Sequence, residues 1–195
     1  EGAPPKAEHN RRIISDYEIA QPFYRLAWSG STHGLHYGLW TEGIKNRHQA
    51  ILNENRVLAD LAEIKPGDRV LDAGCGIGGS SIWLAENRGA NVVGINIVQK
   101  QLDIGKELVR KKGLSDKISL QLGDYQQMPF PDQSFDVIWS LESIEHAFDI
   151  GLFAQESFRT LKPGGKIVIA GTFLGRYDLS QEQKRQLKVG QDVSG

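Results

Sequence analysis

The stretch Val70-Leu71-Asp72-Ala73-Gly74-Cys75-Gly76-Ile77-Gly78-Gly79 joins a short apolar run to a glycine-rich loop. The run predicts a buried strand that ends at Asp72, and the glycines predict a tight turn into a helix that begins near Gly79. Such a turn places backbone N–H groups and a helix N-terminus beside the strand end, where ligand atoms can approach closely. We therefore predict an α/β fold with a ligand site at this loop.

The rest of the core repeats the alternation of strand and helix. The candidate strands are Arg69–Asp72, Asn91–Ile95, Lys117–Leu122, Ser134–Trp139 and Lys166–Thr172. The candidate helices are Gly79–Asn87, Val98–Lys112, Ile150–Leu161 and Ser180–Leu187. This order predicts a Rossmann-like, doubly wound and mostly parallel sheet with helices on both faces. Functional loops are then expected at the carboxyl ends of the strands, beside the point where the strand order reverses.

The residues before the core predict a helical lid. Apolar residues recur at helical spacing over Glu8–Trp28, which predicts one or two helices outside the core. A loop rich in glycine and aromatic residues follows, and Ile44–Ile64 predicts an amphipathic helix that ends before Pro66-Gly67. We divide the chain into an N-terminal arm and helical lid, residues 1–43, and a core, residues 44–195.

Composition favours a globular, cytoplasmic protein without a nucleic-acid partner. The 195 residues contain 23 Lys and Arg against 24 Asp and Glu, a net charge of −1. The basic run Arg110-Lys111-Lys112 before Gly113 is typical of a helix end. The single cysteine, Cys75, excludes an intrachain disulfide and favours a reducing compartment. No apolar run is long enough to predict a membrane span.

Asp72 distinguishes between the cofactors that a glycine-rich loop can bind. Dinucleotide sites use the same glycines and the same helix N-terminus. A carboxylate at the strand end would repel a pyrophosphate, whereas it would attract the ammonium and sulfonium groups of S-adenosylmethionine, which has no phosphate. S-adenosylmethionine is therefore the favoured cofactor, and a dinucleotide is the lesser alternative.

The segment Val70–Gly79 resembles the first motif of class I S-adenosylmethionine-dependent methyltransferases. Later landmarks follow in the order of that family up to Thr172, so that the resemblance covers about half of the chain. They are Gly123-Asp124-Tyr125 after the third strand, Ser134 to Ser140 in the fourth, and Leu161 to Lys166 before the fifth. The resemblance implies S-adenosylmethionine as methyl donor and S-adenosylhomocysteine as product.

The resemblance also implies which residues contact the cofactor. Asp72 would lie beside the methionine moiety, and Asn96 stands where the family usually has an acid that holds the ribose hydroxyls. Asp124 would accept a hydrogen bond from the adenine amino group, with Tyr125 and Gln126 covering the ring. The full predicted set is Asp72, Gly74, Cys75, Gly76, Asn96, Ile97, Gln101, Asp124, Tyr125, Ser140, Tyr37 and Trp40.

The upstream loop invites two interpretations. Tyr37 and Trp40 are expected to cover the cofactor or the substrate, or alternatively to pin the lid to the core. His33 and His36 form a short pair, but no nearby side chain completes a set of three or four ligands, so we predict no metal site.

The segment after the fourth strand addresses the acceptor. Methyltransferases that act on nucleic-acid bases often carry an Asn/Asp-Pro-Pro-aromatic tetrapeptide there, whereas this chain has Ser140-Leu141-Glu142-Ser143. The segments Trp139–His146 and His36–Trp40 resemble the branch that contains tocopherol, sterol and other natural-product methyltransferases. This implies in-line transfer of a methyl group to a C, N or O atom of a small molecule, with lipophilic molecules among the candidates. A cofactor-binding fragment or pseudoenzyme that needs a partner, or an enzyme acting on RNA or protein, are the alternatives.

Two titratable residues are candidates for a general base. His146 and Glu142 follow the fourth strand, at the expected mouth of the site. A base is needed only when the acceptor loses a proton. In the alternative interpretation, His146 packs against the next loop and Glu142 orients the methionine end or forms an ion pair.

The ends of the sequence carry two further expectations. The first residue is Glu1, so we expect a trimmed N-terminus, and the last strands of the family's usual seven are not evident after Thr172, so we expect an incomplete C-terminal part. The fifth strand would then be an exposed edge through which the chain could self-associate. The oligomeric state itself stays open.

Overall fold

The computed structural model describes residues 5–23 and 32–172, in which helices and strands alternate. The helices are α1 (Lys6–Phe23), α2 (Arg47–Leu61), α3 (Gly79–Arg88), α4 (Gln99–Lys111) and α5 (Ile150–Thr160). The strands are β1 (Arg69–Ala73), β2 (Asn91–Asn96), β3 (Ile118–Leu122), β4 (Phe135–Leu141) and β5 (Leu161–Ala170).

The described strands form one five-stranded parallel sheet in the order β3-β2-β1-β4-β5. The chain runs outward from β1 through β2 to β3 and then returns to the other side of β1 as β4. In this central strand, Leu71 pairs with Val93 of β2 and with Ile138 of β4. The order therefore reverses between β1 and β4, which is where an open α/β sheet forms a ligand crevice. The predicted doubly wound sheet is confirmed.

Each face of the sheet has its own apolar core, because side chains alternate along a strand. Val70 belongs to one cluster, which α2, α3 and α4 cover with residues such as Leu84 and Leu102. Leu71 belongs to the other cluster, together with Phe153 of α5. Helices therefore lie on both faces, as predicted.

Several boundaries differ from the sequence prediction. Helix α2 begins only after Asn46, whose side chain accepts a hydrogen bond from the N–H of Gln49 at 3.0 Å and caps the helix. Strand β5 begins at Leu161 rather than Lys166, because Leu161 already pairs with Phe135 before an irregularity in the register. The segment Leu161 to Lys166, which was predicted to lie before the fifth strand, thus lies within β5.

Some predictions fall partly or wholly outside the described residues. Helix α1 confirms a helix within Glu8–Trp28, but residues 24–31 are not described. The candidate helix Ser180–Leu187 also lies outside the described part of the chain. Among the described residues, no helix combines the length and hydrophobicity that a membrane crossing requires.

Candidate active site

A cavity of about 440 Å³ lies at the carboxyl ends of β1, β2 and β4, and α1 and the loop before α2 contribute to its lining. Its walls contain most of the residues predicted to bind the cofactor and both predicted bases. Those lining residues are Tyr37, Asp72, Gly74, Cys75, Gly76, Asn96, Ile97, Gln101, Asp124, Tyr125, Glu142 and His146.

The glycine-rich loop is held against the neighbouring strands. The N–H groups of Gly74 and Cys75 both donate to the carbonyl of Ile95, at 2.9 and 3.0 Å. Gly74 has φ +87°, and any side chain there would collide with Ser143. The turn therefore requires glycine at this position, both for its backbone conformation and for its close approach to the segment after β4.

Asp72 is a buried carboxylate at the end of this strand. It is 2% exposed, and the Ser81 hydroxyl donates a hydrogen bond to it at 2.6 Å. Burial raises the pKa of Asp72 to about 6, although the hydrogen bond from Ser81 acts in the opposite direction. A carboxylate desolvated in this way is stabilised by a cationic ligand group.

A hydrogen-bonded pair connects β2 to α4: Asn96 is the last residue of β2, and Gln101 lies in the first turn of α4. The Asn96 amide donates to Gln101 Oε1 at 2.7 Å and to the Gly76 carbonyl at 3.3 Å, while its oxygen accepts from the Val98 N–H at 3.3 Å. Both amide hydrogens of Asn96 are thus used within the protein. Gln101 Nε2 is buried and has no hydrogen-bond partner among the described residues. At this position Gln101, rather than Asn96, offers a free donor.

Asp124 is held by helix α1 as well as by its own loop. Lys6 Nζ lies 2.9 Å from Oδ2, Asn10 donates to the same oxygen at 3.3 Å, and the Gln126 N–H donates to Oδ1 at 2.8 Å. Burial alone would raise the pKa of Asp124, but these donors together lower it below its usual value. The neighbouring Tyr125 lines the cavity and packs edge to face against Phe153, with the ring centroids 5.5 Å apart.

His146 lies at the part of the cavity that α1 covers. Its Nε2 is 2.9 Å from the Tyr17 hydroxyl, and the two rings meet edge to face at 5.6 Å. Burial lowers the pKa of His146, so the imidazole is neutral near pH 7. A neutral imidazole bonded to a phenol can accept a proton, which is the property that a general base needs.

Glu142 joins the loop before α2 to the end of β4. Its Oε1 accepts the N–H of Tyr37 at 2.9 Å, and its backbone has φ +45°. Burial raises the pKa of Glu142. The neighbouring Glu145, also at the cavity wall, accepts the Thr172 N–H at 3.0 Å. Both carboxylates therefore hold backbone as well as line the cavity.

Two residues of the predicted cofactor set are not at the cavity wall. Ser140 is 1% exposed, and its hydroxyl lies 2.9 Å from that of Ser143, which donates to the Ala73 carbonyl. The Ser140 hydroxyl thus belongs to a hydrogen-bond chain that connects β4, through Ser143, to Ala73 of β1. Trp40 is 55% exposed and does not line the cavity, whereas Tyr37 does.

The cavity also contains residues that the sequence prediction missed. Asn10, Ile13 and Tyr17 line it from α1. Their spacing of three and four residues places them on one helix face, which was the available signal. His36 is a second omission, since it was considered only as a metal ligand and instead binds Glu54 through Nδ1 at 2.5 Å.

A methyltransferase-domain family model matches residues 71–169, from β1 to β5. The chain belongs to the methyltransferase family. The match begins inside β1 and spans the glycine-rich loop, the ends of β2 and β3, and the segment after β4. Every cavity-lining residue of the core, except Thr172, therefore lies within the matched part of this methyltransferase.

Known relatives of this chain include enzymes of the branch that its sequence resembles. It is 36% identical over 178 residues to sterol 24-C-methyltransferase of Pneumocystis carinii, covering 91% of this chain and 46% of that protein. It is 48% identical over 164 residues to a probable chloroplastic tocopherol O-methyltransferase of Oryza sativa subsp. japonica, covering 80% of this chain and 45% of that protein. The chain thus spans about half the length of these relatives.

Family membership also confirms S-adenosylmethionine as the predicted cofactor. Phosphoethanolamine N-methyltransferase 2 of Haemonchus contortus was solved in complex with phosphomonomethylethanolamine and S-adenosylhomocysteine. That structure is 27% identical to this methyltransferase, with a TM-score of 0.68, and the match covers 91% of this chain and 37% of the other.

Proposed function

We propose that this chain transfers a methyl group from S-adenosylmethionine to a C, N or O atom of a small-molecule acceptor by in-line displacement. The observation that carries the proposal is one cavity that holds both the cofactor residues and a neutral histidine bonded to a phenol. Holding the two reactants at attack distance in such a cavity supplies about 7–11 kcal/mol, and no covalent enzyme intermediate is needed.

The cofactor would lie along the ends of β1, β2 and β3. Asp72 would bind the α-ammonium, and Gln101 Nε2 would donate to a ribose hydroxyl with Asn96 fixing its orientation. Asp124 would accept a hydrogen bond from the adenine amino group, and Tyr125 would flank the ring. The hydrogen bond that Tyr125 donates to the Ser143 carbonyl at 3.0 Å supports a fixed position for that wall.

His146 would act as the base when the acceptor carries a proton. The Tyr17 hydroxyl lies on Nε2, so the proton would pass to His146 through Tyr17. Acceptors that lose no proton from the attacking atom, such as tertiary amines, would need only alignment. Glu142 would act by holding the loop at Tyr37 in place over the cavity.

The acceptor is proposed to be a small, lipophilic molecule. The named activities of the sterol and tocopherol relatives support this choice, and so does the absence of the base-gripping tetrapeptide after β4. The cytoplasm is proposed as the compartment, since Cys75 is a buried free thiol and the chain has no other cysteine.

Binding of S-adenosylhomocysteine tests the premise. Calorimetry on the chain should give a saturable one-site titration, and Asp72→Asn should weaken it about 10- to 100-fold, the range expected for a hydrogen bond between charged groups. Asp103→Asn, an exposed substitution of the same kind on α4, is the control and should leave the affinity unchanged. Equal affinity in the wild type and in Asp72→Asn contradicts the placement of the cofactor.

Methyl-labelled S-adenosylmethionine then identifies the acceptor class. The chain and the labelled cofactor are added to fractionated cell extract, and the label is followed into each fraction. Label in small lipophilic or amine products supports the proposal. Label in RNA or protein supports an enzyme for macromolecules, and a chain that binds the cofactor but transfers no label is a cofactor-binding fragment.

A further inference from the structure

His36 is a buried histidine in the wall of the cavity that the mechanism above does not use. It is 5% exposed and lies in the loop before α2, on the same cavity as Asp72. Its Nδ1 binds Oε2 of Glu54, a residue of α2 that is itself 9% exposed. Because a carboxylate oxygen accepts, His36 Nδ1–H donates this 2.5 Å hydrogen bond, and Glu54 fixes the orientation of the ring.

The other ring nitrogen of His36 lacks a partner. Nε2 is buried and makes no hydrogen bond to any described residue. A Cβ on Gly34 would lie 2.9 Å from this atom and 2.8 Å from Ile51, so only glycine fits beside the ring, and both Gly34 and His36 line the cavity. A buried polar atom without a partner destabilises the protein, and a ligand that forms a hydrogen bond with it removes that cost.

The charges around this donor select the ligand group. Asp72 is an acidic side chain and the unpartnered atom of His36 is a ring nitrogen, so the wall offers a site for a cation beside a site for a hydrogen-bonding anion. The methionine moiety of S-adenosylmethionine offers a carboxylate, an ammonium and a sulfonium, with one net positive charge. In this arrangement each charged group of the methionine moiety can face a partner, which is the condition for burying charged groups.

We propose that His36, oriented by Glu54, binds the α-carboxylate of the cofactor through Nε2–H, with a proton on both ring nitrogens in the complex, while Asp72 binds the α-ammonium. His36 is thus a cofactor-binding residue, and Glu54 is a positioning residue that acts through it. This inference rests on the proposed function, because it assumes that S-adenosylmethionine occupies the cavity.

Two ligands that differ only in the carboxylate test the assignment. S-adenosylhomocysteine and its decarboxylated analogue, which keeps the amine, are titrated into the wild type, His36→Gln and Glu54→Gln by calorimetry. We expect the wild type to bind the decarboxylated analogue about 10- to 100-fold more weakly than S-adenosylhomocysteine. His36→Gln should lose most of this preference and keep its affinity for the analogue, and Glu54→Gln should show an intermediate preference. His48→Gln, an exposed histidine of α2, is the matched control.

The outcomes separate the two proposals. A wild type that binds neither ligand overturns the proposed function itself. A His36→Gln variant that weakens both ligands equally assigns His36 a merely structural role and overturns the inference alone. An acceptor carboxylate is excluded as the source, because no acceptor is present in the titration. If thermal melting shows His36→Gln to be unfolded, the neutral pair His36→Gln/Glu54→Gln replaces it, and this double variant must likewise lose the preference.

Discussion

Replacing Asp72 with asparagine should make the ligand-free protein more stable near neutral pH, although the same change weakens cofactor binding. The carboxylate is 2% exposed and bonded to Ser81 at 2.6 Å. Burial raises its pKa from 3.8 to about 6. An ionised Asp72 is therefore a source of instability in the ligand-free protein, of the kind that binding sites commonly retain for function.

The sign and size of the effect follow from these two pKa values. Between pH 3.8 and about 6 the folded chain keeps a proton that the unfolded chain has released, so the free energy of unfolding falls as the pH rises. The fall is complete above about pH 6 and amounts to at most about 3 kcal/mol, at about 1.36 kcal/mol per pKa unit. Asparagine keeps an oxygen for Ser81 without the charge, so Asp72→Asn should gain about 1–3 kcal/mol near pH 8.

Urea unfolding of the ligand-free wild type and of Asp72→Asn, at about pH 5 and about pH 8, measures this effect. The variant should be clearly more stable at the higher pH, and the difference should shrink at the lower pH, where Asp72 of the folded wild type is protonated. Groups such as His146 titrate in both proteins and cancel in the difference. A variant that is less stable at pH 8, or a difference that does not change with pH, refutes the reasoning.

Three further substitutions probe the same cavity. Gly74→Ala should destabilise the chain by about 2–5 kcal/mol in urea unfolding, since alanine would adopt a left-handed backbone conformation and collide with Ser143. The double variant Gly74→Ala/Ser143→Gly should lose less stability than the sum of the two single variants. Strictly additive losses in the free energy of unfolding would argue against the collision. Tyr17→Phe should lower the single-turnover rate of methyl transfer to a proton-bearing acceptor by at least about tenfold, since it interrupts the proposed proton path to His146. The affinity for S-adenosylhomocysteine should stay unchanged. An unaltered rate would show that Tyr17 is not on the proton path. Trp40→Ala should leave the affinity for S-adenosylhomocysteine unchanged in calorimetry, since Trp40 does not line the cavity.

The sheet and its glycine-rich loop could be predicted because local patterns specify them. The apolar run before Asp72, the glycines and the helix at Gly79 are contiguous, and each element agrees with the next. The start of β5 could not be predicted in the same way. Pro163-Gly164 is typical of a turn, and only the pairing of Leu161 with Phe135 across the sheet extends the strand backward.

The details of the cofactor site depended on contacts between residues distant in the chain. The sequence predicts that Asn96 contacts the ribose, but it does not predict that the Asn96 amide hydrogens bond Gln101 and Gly76 or that Gln101 Nε2 is the unpartnered donor beside them. His36 and Glu54 are separated by 18 positions and lie on different elements, so no periodicity links them. The sequence thus predicted many of the side chains that line the site, but not which residues they bond to.

Helix α1 shows why the lid was predicted without its function. Polar side chains of α1 contact the core: Lys6 and Asn10 bind Asp124, and Tyr17 binds His146. Hydrophobic periodicity does not report such polar contacts. These partners are the same groups that the cofactor and the acceptor would use. In the proposed complex the adenine amino group and Lys6 would both bind the Asp124 carboxylate, so each would change the free energy of binding of the other. The proposal therefore implies that the position of α1 is coupled energetically to cofactor binding, and that a substitution which weakens the contact of Lys6 with Asp124 acts on both.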